Sequence, residues 1–568
     1  MFVDRLIQAA VVVAALAAVS SFAAEPDPDG YRTVAIGVTR TGRPMTALVP
    51  IGDSLETKRP RVLFVSGLVG DDGAPHRLGD TFTNFDAAWC FPNPDAVGTK
   101  KLGTNFSGGN PAIGYPPRDK FYDSPTDPER RYVWRFIQMH APDLVVEVVY
   151  GPGETWRRPR NARPLEFLKR LPKTTSPEVP DGTLVAAAES AAVPAIRVTT
   201  DNLAYLGRLD QAIDEASLPI SENRKRKLKL LERTPEKVAE DLLRAYGTKL
   251  PAVQYIPALA LVGRMRHEQH LQGPRSGIPV IVQKAIAPYV SGKGQAVTEK
   301  SGGSVFAGHL IFAELADRTA QLGRPSSRYV QLIKSVGDLA FDKTGEPLEV
   351  MPSHNEMSDA VFMAGPILAY AGKLTGDAKY FEASVRNMKF MQKLCLRDDG
   401  IYRHSPLDEA AWGRGNGFPA LGLTWTLDAL PESYAGRAEV AASLEKHLRA
   451  LLTHQEYTGM WHQVIDKPES YAELTATSMI AYAMARGVRQ GRLDAATFDG
   501  PIRQAWSALK TRIGTENGDL VDVCTGTGKQ PNLRAYYDRP ANNGYDDRGG
   551  AMALMIATEM ELYLKKPN

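Results

Sequence analysis

The feature that most constrains the fold is a helical periodicity that runs from about Glu222 almost to the end of the chain. Apolar residues recur three and four positions apart, as they do on one face of an α-helix. The clearest stretches are residues 238–245, 367–374, 390–395 and 479–485. The Thr-Gly-Asp break after Leu374 is typical of a helix end followed by a new start. The pattern predicts a long all-α region.

The length of this region narrows the possible architectures. From Pro251 onward the chain has room for about a dozen helices of ordinary length with short connections. A dozen helices paired as hairpins can close into an (α/α)6 barrel, whose loops gather around one open end. A superhelical solenoid would use the same pattern, but no fixed-period repeat supports it. We therefore predict an (α/α)6 barrel over residues 251–568 and a helical linker over residues 221–250.

The N-terminal part has a different texture, in which short β-branched runs alternate with turn-rich loops. Residues 61–65 and 143–149 are dense in Val and Leu, as strands buried on both faces tend to be. Residues 193–199 predict another strand, and residues 203–215 predict the helix that follows it. Strands that alternate with helices indicate an α/β sheet. We assign residues 24–220 to an α/β domain, so the chain is multidomain.

Composition and charge exclude several classes of protein. The chain has 568 residues, of which 43% are hydrophobic and 23% charged, the values of packed globular protein. Its 68 Lys and Arg residues against 65 Asp and Glu leave a net charge of +3, which argues against a nucleic-acid partner. The densest basic run, residues 224–227, is interpreted as a solvated helix face. Three cysteines match no zinc or redox spacing and cannot form a complete disulfide framework.

The first residues predict export. Residues 6–19 are apolar except for Gln8, and Ser21 and Ala23 satisfy the small-residue rule for cleavage before Ala24. The run is short for a bilayer span, which needs about 20 apolar residues, and no later stretch approaches that length. We expect residues 1–23 to be a signal peptide and the mature chain to be periplasmic or secreted, without a membrane partner.

Three segments of the α/β part resemble the zinc carboxypeptidase fold. Residues 65–72 fall where such enzymes carry Gly-x-His-x-x-Glu after a strand. Residues 91–95 resemble their Asn-Pro-Asp segment, and Asn105 and Phe106 resemble the end of their Asn-Arg-Asn-Phe motif. The resemblance implies a carboxypeptidase-like domain.

The same segments depart from the family at its metal ligands. Val69 stands where the histidine ligand belongs, Asp72 replaces the glutamate, and Thr104 replaces the arginine. A catalytic zinc needs three well-placed protein ligands, and a valine side chain offers none. His76 and His140 have no acidic partner at ligand spacing. We expect a peptidase-like scaffold without a metal.

Aromatic, charged and small residues recur together in the C-terminal half, where loops meet helices. Aromatic faces stack on pyranose rings, Arg forks a carboxylate with two hydrogen bonds, and Asn or His reads hydroxyls, so the mixture suits a sugar acid. Single residues also have structural explanations, because Asp359 could cap its helix, Trp412 could be core and His404 a structural hydrogen-bonder. The candidate site residues are Asp359, His404, Trp412, Arg414, Asn416, Trp461 and His462.

Several segments of the C-terminal half resemble those of a known family, and they occur in the same order along the chain. Residues 357–363 resemble the Trp-x-Asp-x-x-x-Met segment of unsaturated glucuronyl and rhamnogalacturonyl hydrolases, the (α/α)6 barrels of glycoside hydrolase families 105 and 88. Residues 412–418, Trp-Gly-Arg-Gly-Asn-Gly-Phe, are similar to their Trp-Ala/Gly-Arg-Gly-Asn-Gly-Trp. Residues 459–466, and Tyr471 with Glu473, resemble their later signatures.

The resemblance implies a chemistry in which Asp359 is the general acid/base. Such enzymes protonate C4 of a 4,5-unsaturated uronic acid and add water at C5, and the hemiketal collapses and releases the remaining sugar. No cofactor is required. The family usually has a second aspartate on an earlier hairpin, where Ser304 stands here, and a tryptophan where Met357 stands. Glu473 is the next candidate for the acid.

We therefore expect an exported glycoside hydrolase that removes 4,5-unsaturated uronic acid from the non-reducing end of lyase-generated oligosaccharides, of pectin or rhamnogalacturonan type. The alternatives are a glycosidase for saturated glucuronides on the same barrel and a non-catalytic carbohydrate-binding protein. In each case the partner is an oligosaccharide with a terminal uronic acid.

Overall fold

The computed structural model describes residues 30–70, 82–97, 104–117, 127–160, 162–172, 178–273, 276–292, 297–353 and 355–565. The expected signal peptide, Asp72 and His76 lie outside these ranges. The chain divides into two compact units, one formed by residues 1–116 and 136–224 and the other by residues 117–135 and 225–568. None of the described helices combines the length and apolar character that crossing a bilayer requires.

The first unit contains a mixed sheet of seven strands. Its order is β1-β2-β4-β3-β5-β7-β6, and the four central strands, β4, β3, β5 and β7, are parallel. The outer strands pair antiparallel with their neighbours. The strands are β1 Tyr31–Val38, β2 Pro44–Pro50, β3 Arg61–Ser66, β4 Asp86–Phe91, β5 Leu144–Tyr150, β6 Glu154–Arg157 and β7 Ala195–Thr200.

The central strands are buried on both faces, as their Val-rich sequences predict. Every residue of β3 is buried. On one face of the sheet Phe64 stacks on Trp89 with 4.3 Å between ring centroids. The strands expected at residues 61–65, 143–149 and 193–199 and the helix expected at 203–215 are all present. The α/β prediction is confirmed, whereas the likeness to zinc carboxypeptidases stays a prediction.

The described residues form helices along the whole chain, and these are numbered in chain order. They are α1 Pro94–Val97, α2 Pro128–His140, α3 Leu184–Ser190, α4 Ala204–Ala216, α5 Glu222–Leu231, α6 Pro235–Leu243, α7 Tyr255–Gln272, α8 Val280–Val290, α9 Gly303–Gly308, α10 Leu310–Gln321, α11 Ser327–Gly337, α12 Ala360–Met363, α13 Gly365–Thr375, α14 Lys379–Cys395, α15 Gly413–Ala429, α16 Arg437–Leu452, α17 Leu474–Arg489, α18 Ala495–Lys510, α19 Leu533–Tyr537 and α20 Asp547–Tyr563.

Six of the described helices close a ring in the second unit. Helix α7 packs on α10, α10 on α13, α13 on α15, α15 on α17, α17 on α20, and α20 returns to α7. Outside this ring α6 packs on α20, α11 on α10 and α13, α14 on α13, α16 on α15, and α18 on α17. Outer and inner helices alternate along the chain, which is the arrangement expected of an (α/α)6 barrel.

Local sequence explains where individual helices stop and start. Helix α13 ends at Thr375, and Gly376 adopts a left-handed conformation with φ of 74° before α14 begins at Lys379. A residue with a Cβ is strained in that conformation. The expectation of an all-α domain needs one correction, because Leu520–Cys524 and Ala541–Gly544, β8 and β9, form a two-stranded antiparallel sheet within this unit. Its strands are short and β8 is largely buried against the barrel helices, so helical periodicity does not reveal it.

Candidate active site

The inner helices of the ring begin at one end, and four of the candidate residues, Asp359, Trp412, Arg414 and Asn416, stand at or just before their first turns. Each inner helix follows an outer one that packs against the ring, and Arg414 at the start of α15 bonds Thr475 at the start of α17, so the inner helices run in the same direction. Asp359 precedes α12, which leads into α13, while Arg414 lies in the first turn of α15 and Glu473 caps α17. Helix N-termini carry a partial positive charge, so this end of the ring favours an anionic ligand.

Asp359 is placed at a helix start but does not cap that helix. Its side chain makes no capping hydrogen bond to α12 and is 9% exposed. Its Oδ2 atom lies 3.2 Å from Nε2 of His404. The two atoms are close but misaligned for a hydrogen bond, and neither has another hydrogen-bond partner among the described residues. Both atoms therefore lack the partner that buried polar groups usually have.

The imidazole of His404 is held from its other side. Nδ1 lies 2.9 Å from the hydroxyl oxygen of Tyr536, and that oxygen accepts a hydrogen bond from the backbone N–H of Gln530. Burial raises the pKa of Tyr536 to about 12, so the hydroxyl keeps its proton at neutral pH. If the hydroxyl donates to Nδ1, the proton of a neutral imidazole stands on Nε2 and faces Asp359.

Trp412 forms a wall of the same site. Its ring lies 4.4 Å from the His404 ring, and the guanidinium of Arg414 lies 4.6 Å above its centroid. It is 1% exposed, and its Nε1–H has no hydrogen-bond partner among the described residues. A Cβ at Gly415 would stand 3.1 Å from the indole and 3.3 Å from the imidazole, so glycine permits this close packing. The Nε1–H adds a third buried polar atom available to a ligand.

Arg414 is anchored by uncharged acceptors. Its Nη1 donates to Oγ1 of Thr475 and to the carbonyl of Cys524, and its Nη2 donates to the carbonyl of Thr525 at 2.7 Å. No carboxylate among the described residues pairs with it, and the Nε–H with one Nη2–H remains available. Burial lowers the pKa of Arg414, but nearby acidic groups outweigh burial and raise it overall, so the guanidinium stays charged. The free donors are those of a side-on fork to a carboxylate.

Glu473 is committed to structure. Its carboxylate accepts hydrogen bonds from the Thr475 hydroxyl, from the Ala476 N–H at 2.6 Å and from the Cys524 N–H at 2.9 Å. It thereby caps α17 and ties that helix to β8. Since Thr475 also accepts from Arg414, Glu473 helps to position the guanidinium. This explains the residue without an acid role.

Asn416 and Trp461 lie at the site's periphery and face the protein. The amide of Asn416 bonds both the N–H and the carbonyl of Tyr402, at 2.7 and 2.8 Å, and also the carbonyl of Trp412. Trp461 is fully buried and donates its Nε1–H to the Leu451 carbonyl. Their polar side-chain atoms bond the protein, and a direct contact of either residue with substrate stays a prediction.

His462 likewise faces its own neighbours. Nδ1 lies 2.7 Å from the Ser470 carbonyl, and Nε2 lies 3.3 Å from Oε2 of Glu456. Burial lowers the pKa of His462, but the hydrogen bond and charge of Glu456 outweigh it and raise the pKa overall. The same pairing holds the pKa of Glu456 below its usual value, against the effect of burial. The pair is therefore a buried ionic contact in the loop before α17.

The structure adds three residues that sequence reasoning missed. Tyr536 lies in α19, in a region without a recognisable signal. Tyr255 begins α7 and packs edge-on against Phe362 and Phe418. Burial raises the pKa of Tyr255, and the charges of Asp359, Arg414 and Arg548 contribute to that pKa. Arg548 lies in the first turn of α20 beside its N-cap, Asp546. The Asp-Asp-Arg-Gly-Gly string before an apolar run was an available signal for this helix start.

The position of the family's second aspartate is occupied by an uncharged helix start. Ser304 lies in α9, which packs against α12 and therefore runs beside the helix that follows Asp359. The sequence of α9, Gly-Ser-Val-Phe-Ala-Gly, contains no acid. Met357 is partly buried one turn before α12. Asp359 thus receives no acidic neighbour from α9.

The peptidase-like segments of the first unit meet at one edge of its sheet. The Asn93 amide donates to the carbonyls of Leu68 and Thr104, which joins the three segments. His140 is at the other edge, where it contacts Arg61, the first residue of β3, and Asp53 at 3.5 Å. Burial and the Arg61 charge lower the pKa of His140 to about 3. It cannot replace the ligand missing at Val69, and the described residues contain no cluster of three metal-ligating side chains.

Comparison with known proteins finds a family domain in the C-terminal region. Residues 324–564 match the model of Glycosyl Hydrolase Family 88, so the C-terminal region contains a domain of this family, as the sequence motifs indicated. An unsaturated rhamnogalacturonyl hydrolase of Bacillus subtilis is 27% identical over 213 residues, 36% of this chain and 59% of that protein. An unsaturated 3S-rhamnoglycuronyl hydrolase of an Alteromonas species is 26% identical over 220 residues, 37% of this chain and 51% of that protein.

The chain thus spans about half the length of the curated relatives it matches. The solved structure of a family 105 glycoside hydrolase from C. acetobutylicum superposes with a TM-score of 0.49 at 20% identity, and the match covers 58% of this chain and 99% of that chain.

Proposed function

We propose that the protein is a glycoside hydrolase that removes a 4,5-unsaturated uronic acid from the non-reducing end of oligosaccharides produced by polysaccharide lyases. One observation carries the proposal: a buried carboxyl, Asp359, does not cap its own helix and is connected through the rings of His404 and Trp412 to Arg414, which has no carboxylate partner among the described residues. The pair offers a proton donor and a carboxylate-binding fork in one site. The two curated relatives are named for unsaturated uronyl substrates, which supports the same class.

Arg414 supplies the recognition of the uronate. Its available Nε–H and Nη2–H can bond both oxygens of the C5 carboxylate, and the helix N-termini around it add to the favourable potential. Trp412 lies beneath the Arg414 guanidinium and beside the His404 imidazole, so it forms one wall of the sugar-binding site. The carboxylate fixes the ring so that the C4=C5 double bond faces Asp359.

Asp359 carries the proton transfers. Its carboxylic acid gives a proton to C4, and the resulting positive charge at C5 is shared with the ring oxygen. The carboxylate then takes a proton from a water molecule as the water oxygen bonds to C5, so the acid is regenerated. The hemiketal opens to a 5-keto acid and releases the remaining saccharide from C1. His404, with Nε2 at 3.2 Å, orients the carboxyl and the water.

A turnover screen tests the proposal. Unsaturated oligosaccharides from lyase-digested pectin, ulvan, alginate and glycosaminoglycans are incubated with the full chain, with saturated glucuronides in parallel. We expect the ultraviolet absorbance of the C4=C5 double bond to disappear with at least one digest, of rhamnogalacturonan type first. Turnover of saturated glucuronides alone would favour the alternative glycosidase, and binding without turnover would favour a carbohydrate-binding protein.

We also propose that the chain is exported, because residues 1–23 have the pattern of a signal peptide. N-terminal sequencing of protein recovered from the periplasm or medium of an expressing cell is expected to begin at Ala24. Recovery from the cytoplasm with Met1 intact would contradict export.

A further inference from the structure

Arg135 lies outside the family region in the sequence but inside the second unit in the structure. Residues 117–135 belong to that unit, whereas the family model matches residues 324–564. The Nε atom of Arg135, in α2, donates a hydrogen bond to Oδ1 of Asp522, in β8, at 2.8 Å. Its guanidinium also lies 4.6 Å from the centroid of the Tyr471 ring. Arg135 thus contacts two separate segments of the family region.

Asp522 adopts a backbone conformation that its ion pairs hold in place. It is fully buried, its φ is 64°, and the register of β8 against β9 shifts between Leu520 and Val523, so Asp522 lies in a bulge. Side chains with a Cβ crowd the backbone at such a φ, and a buried carboxylate needs charged partners. Arg135 and Arg512 supply these partners, the latter with its Nε 3.7 Å from Oδ2. The two arginines therefore fix the shape of the bulge.

The bulge of β8 determines where two acceptors of Arg414 stand. Cys524, two positions after Asp522, donates its backbone N–H to Glu473 at 2.9 Å, and its carbonyl accepts from Nη1 of Arg414 at 2.9 Å. The next carbonyl, that of Thr525, accepts from Nη2 of Arg414 at 2.7 Å. A change in the bulge would move both carbonyls, and the guanidinium would follow them.

Tyr471 connects Arg135 to the same guanidinium by a second route. Tyr471 is buried and lies two positions before Glu473, whose carboxylate accepts from the Thr475 hydroxyl at 2.7 Å. The Thr475 oxygen in turn accepts from Nη1 of Arg414 at 3.2 Å. A cation over the face of an aromatic ring is attracted to it, so Arg135 stabilises the segment that leads into α17. Both contacts of Arg135 therefore lead to groups that position Arg414.

We propose that Arg135 is a positioning residue for uronate recognition: by fixing Asp522 and Tyr471, it directs the fork of Arg414 toward the substrate carboxylate. The proposal rests on the proposed hydrolase function and adds to it a residue from outside the family region. Arg135 acts through Arg414 and does not contact the sugar. It therefore affects how well the enzyme distinguishes a uronate from its ester more than it affects the proton transfers at Asp359.

The test compares a uronate with its ester on the full chain. The substrates are the methyl glycoside of a 4,5-unsaturated uronic acid and the methyl ester of the same compound, which lacks the negative charge. We expect the parent to prefer the acid in kcat/KM, and this preference to fall about threefold to tenfold in Arg135→Lys, mainly through KM for the acid. The lysine keeps the charge beside Asp522 but loses the planar Nε–H. Loss of folded protein would instead lower kcat for both substrates alike.

A double variant shows whether Arg135 acts through Arg414. In the Arg414→Lys background the fork is already lost, so adding Arg135→Lys should change the acid-to-ester preference by no more than about twofold. Asp522→Asn is a second single variant: asparagine also tolerates a left-handed φ, and the charge that Arg135 pairs with is removed, so the preference should fall as in Arg135→Lys. Arg130→Lys on α2 is the matched control, because Arg130 pairs with Asp127, and it should keep the parental preference.

The outcomes separate the two proposals. An unchanged acid-to-ester preference in both Arg135→Lys and Asp522→Asn would overturn the positioning role and leave the hydrolase function intact. An equal effect of Arg135→Lys in the parent and in the Arg414→Lys background would do the same. Failure of the parent to turn over any unsaturated uronide would overturn the hydrolase function, and the positioning role with it.

Discussion

The Nε2 atom of His404 lies 3.2 Å from the Oδ2 atom of Asp359, and the opposite ring nitrogen lies 2.9 Å from the Tyr536 hydroxyl. The carboxyl is thus turned away from the helix that it precedes and toward a buried imidazole whose orientation is held from behind. A helix-capping aspartate would face the backbone N–H groups of its first turn. The side chain of Asp359 is therefore placed as the proposed acid requires, and not as a capping residue would be.

Asp359→Asn tests the proton donor. The amide has the shape of the acid but cannot give a proton to carbon, so we expect turnover of an unsaturated uronide to fall at least about a hundredfold. The melting temperature should change little, because the side chain does not cap α12. Asp494→Asn is the control: Asp494 does cap its helix, α18, and should leave turnover intact. Near-native turnover by Asp359→Asn would place the acid elsewhere.

Tyr536→Phe tests whether the phenol positions the imidazole. It removes the partner of Nδ1 and leaves the ring stack with Trp412, so we expect kcat to fall about twofold to tenfold, the worth of one hydrogen bond. KM should change little, because the phenol lies behind the imidazole, on the side away from Asp359. Tyr537→Phe removes a hydroxyl that donates to Glu469 instead and serves as the control. An unchanged kcat in Tyr536→Phe, or a loss that falls on KM alone, would argue against the positioning role.

Arg414→Lys keeps the charge but loses the fork. Hydrogen bonds to charged groups are worth about 1.5–3 kcal/mol, so we expect KM for the uronide to rise about tenfold to a hundredfold while kcat falls less. The exposed Arg449, which pairs with Glu445 on α16, offers Arg449→Lys as a matched control without effect. A sharp fall in melting temperature with KM unchanged would instead assign Arg414 to stability alone.

The His462–Glu456 pair predicts a pH-dependent stability. The folded-state pKa of His462 is raised above the usual 6.5, so its contribution is present below pH 6.5 and is lost as the pH rises through the folded-state pKa. The pKa of Glu456 is lowered from 4.5, so its contribution is present above that pH and is lost in acid. Glu456→Gln should therefore destabilise the chain most between about pH 4.5 and 6.5.

Thermal unfolding of the parent and of Glu456→Gln across pH 4 to 9 measures the effect, and the two curves should converge toward high pH. A constant difference across this range would show that the pair is not ionic. Exposed Glu445→Gln on α16 provides the matched control.

Much of the architecture was predictable from local patterns. Helical periodicity after Glu222 marked the helices, and the Gly376 break lies where α13 ends. The Val-rich runs form the central parallel strands. A strand that is buried on both faces has no alternating polar residues, so its continuous apolar run can be recognised in the sequence. The sequence pattern does not predict the antiparallel pair of β8 and β9, because both strands are short and the helices around them bury them.

The sequence by itself determined the inventory of the site: an aspartate before a helix, and an Arg and a Trp in a glycine-spaced string at the start of another. Only the tertiary structure decided which of these side chains are available to a ligand. Asn416 belongs to the same motif as Trp412 and Arg414, and Trp461 and His462 belong to a later one, but the polar atoms of all three bond the protein. The closed ring decides which polar side chains bond the protein. Buried polar groups need hydrogen-bond partners, and in the closed ring the nearest partners come from distant parts of the chain. Tyr536 reaches His404 across 132 positions, a relation that no local pattern contains.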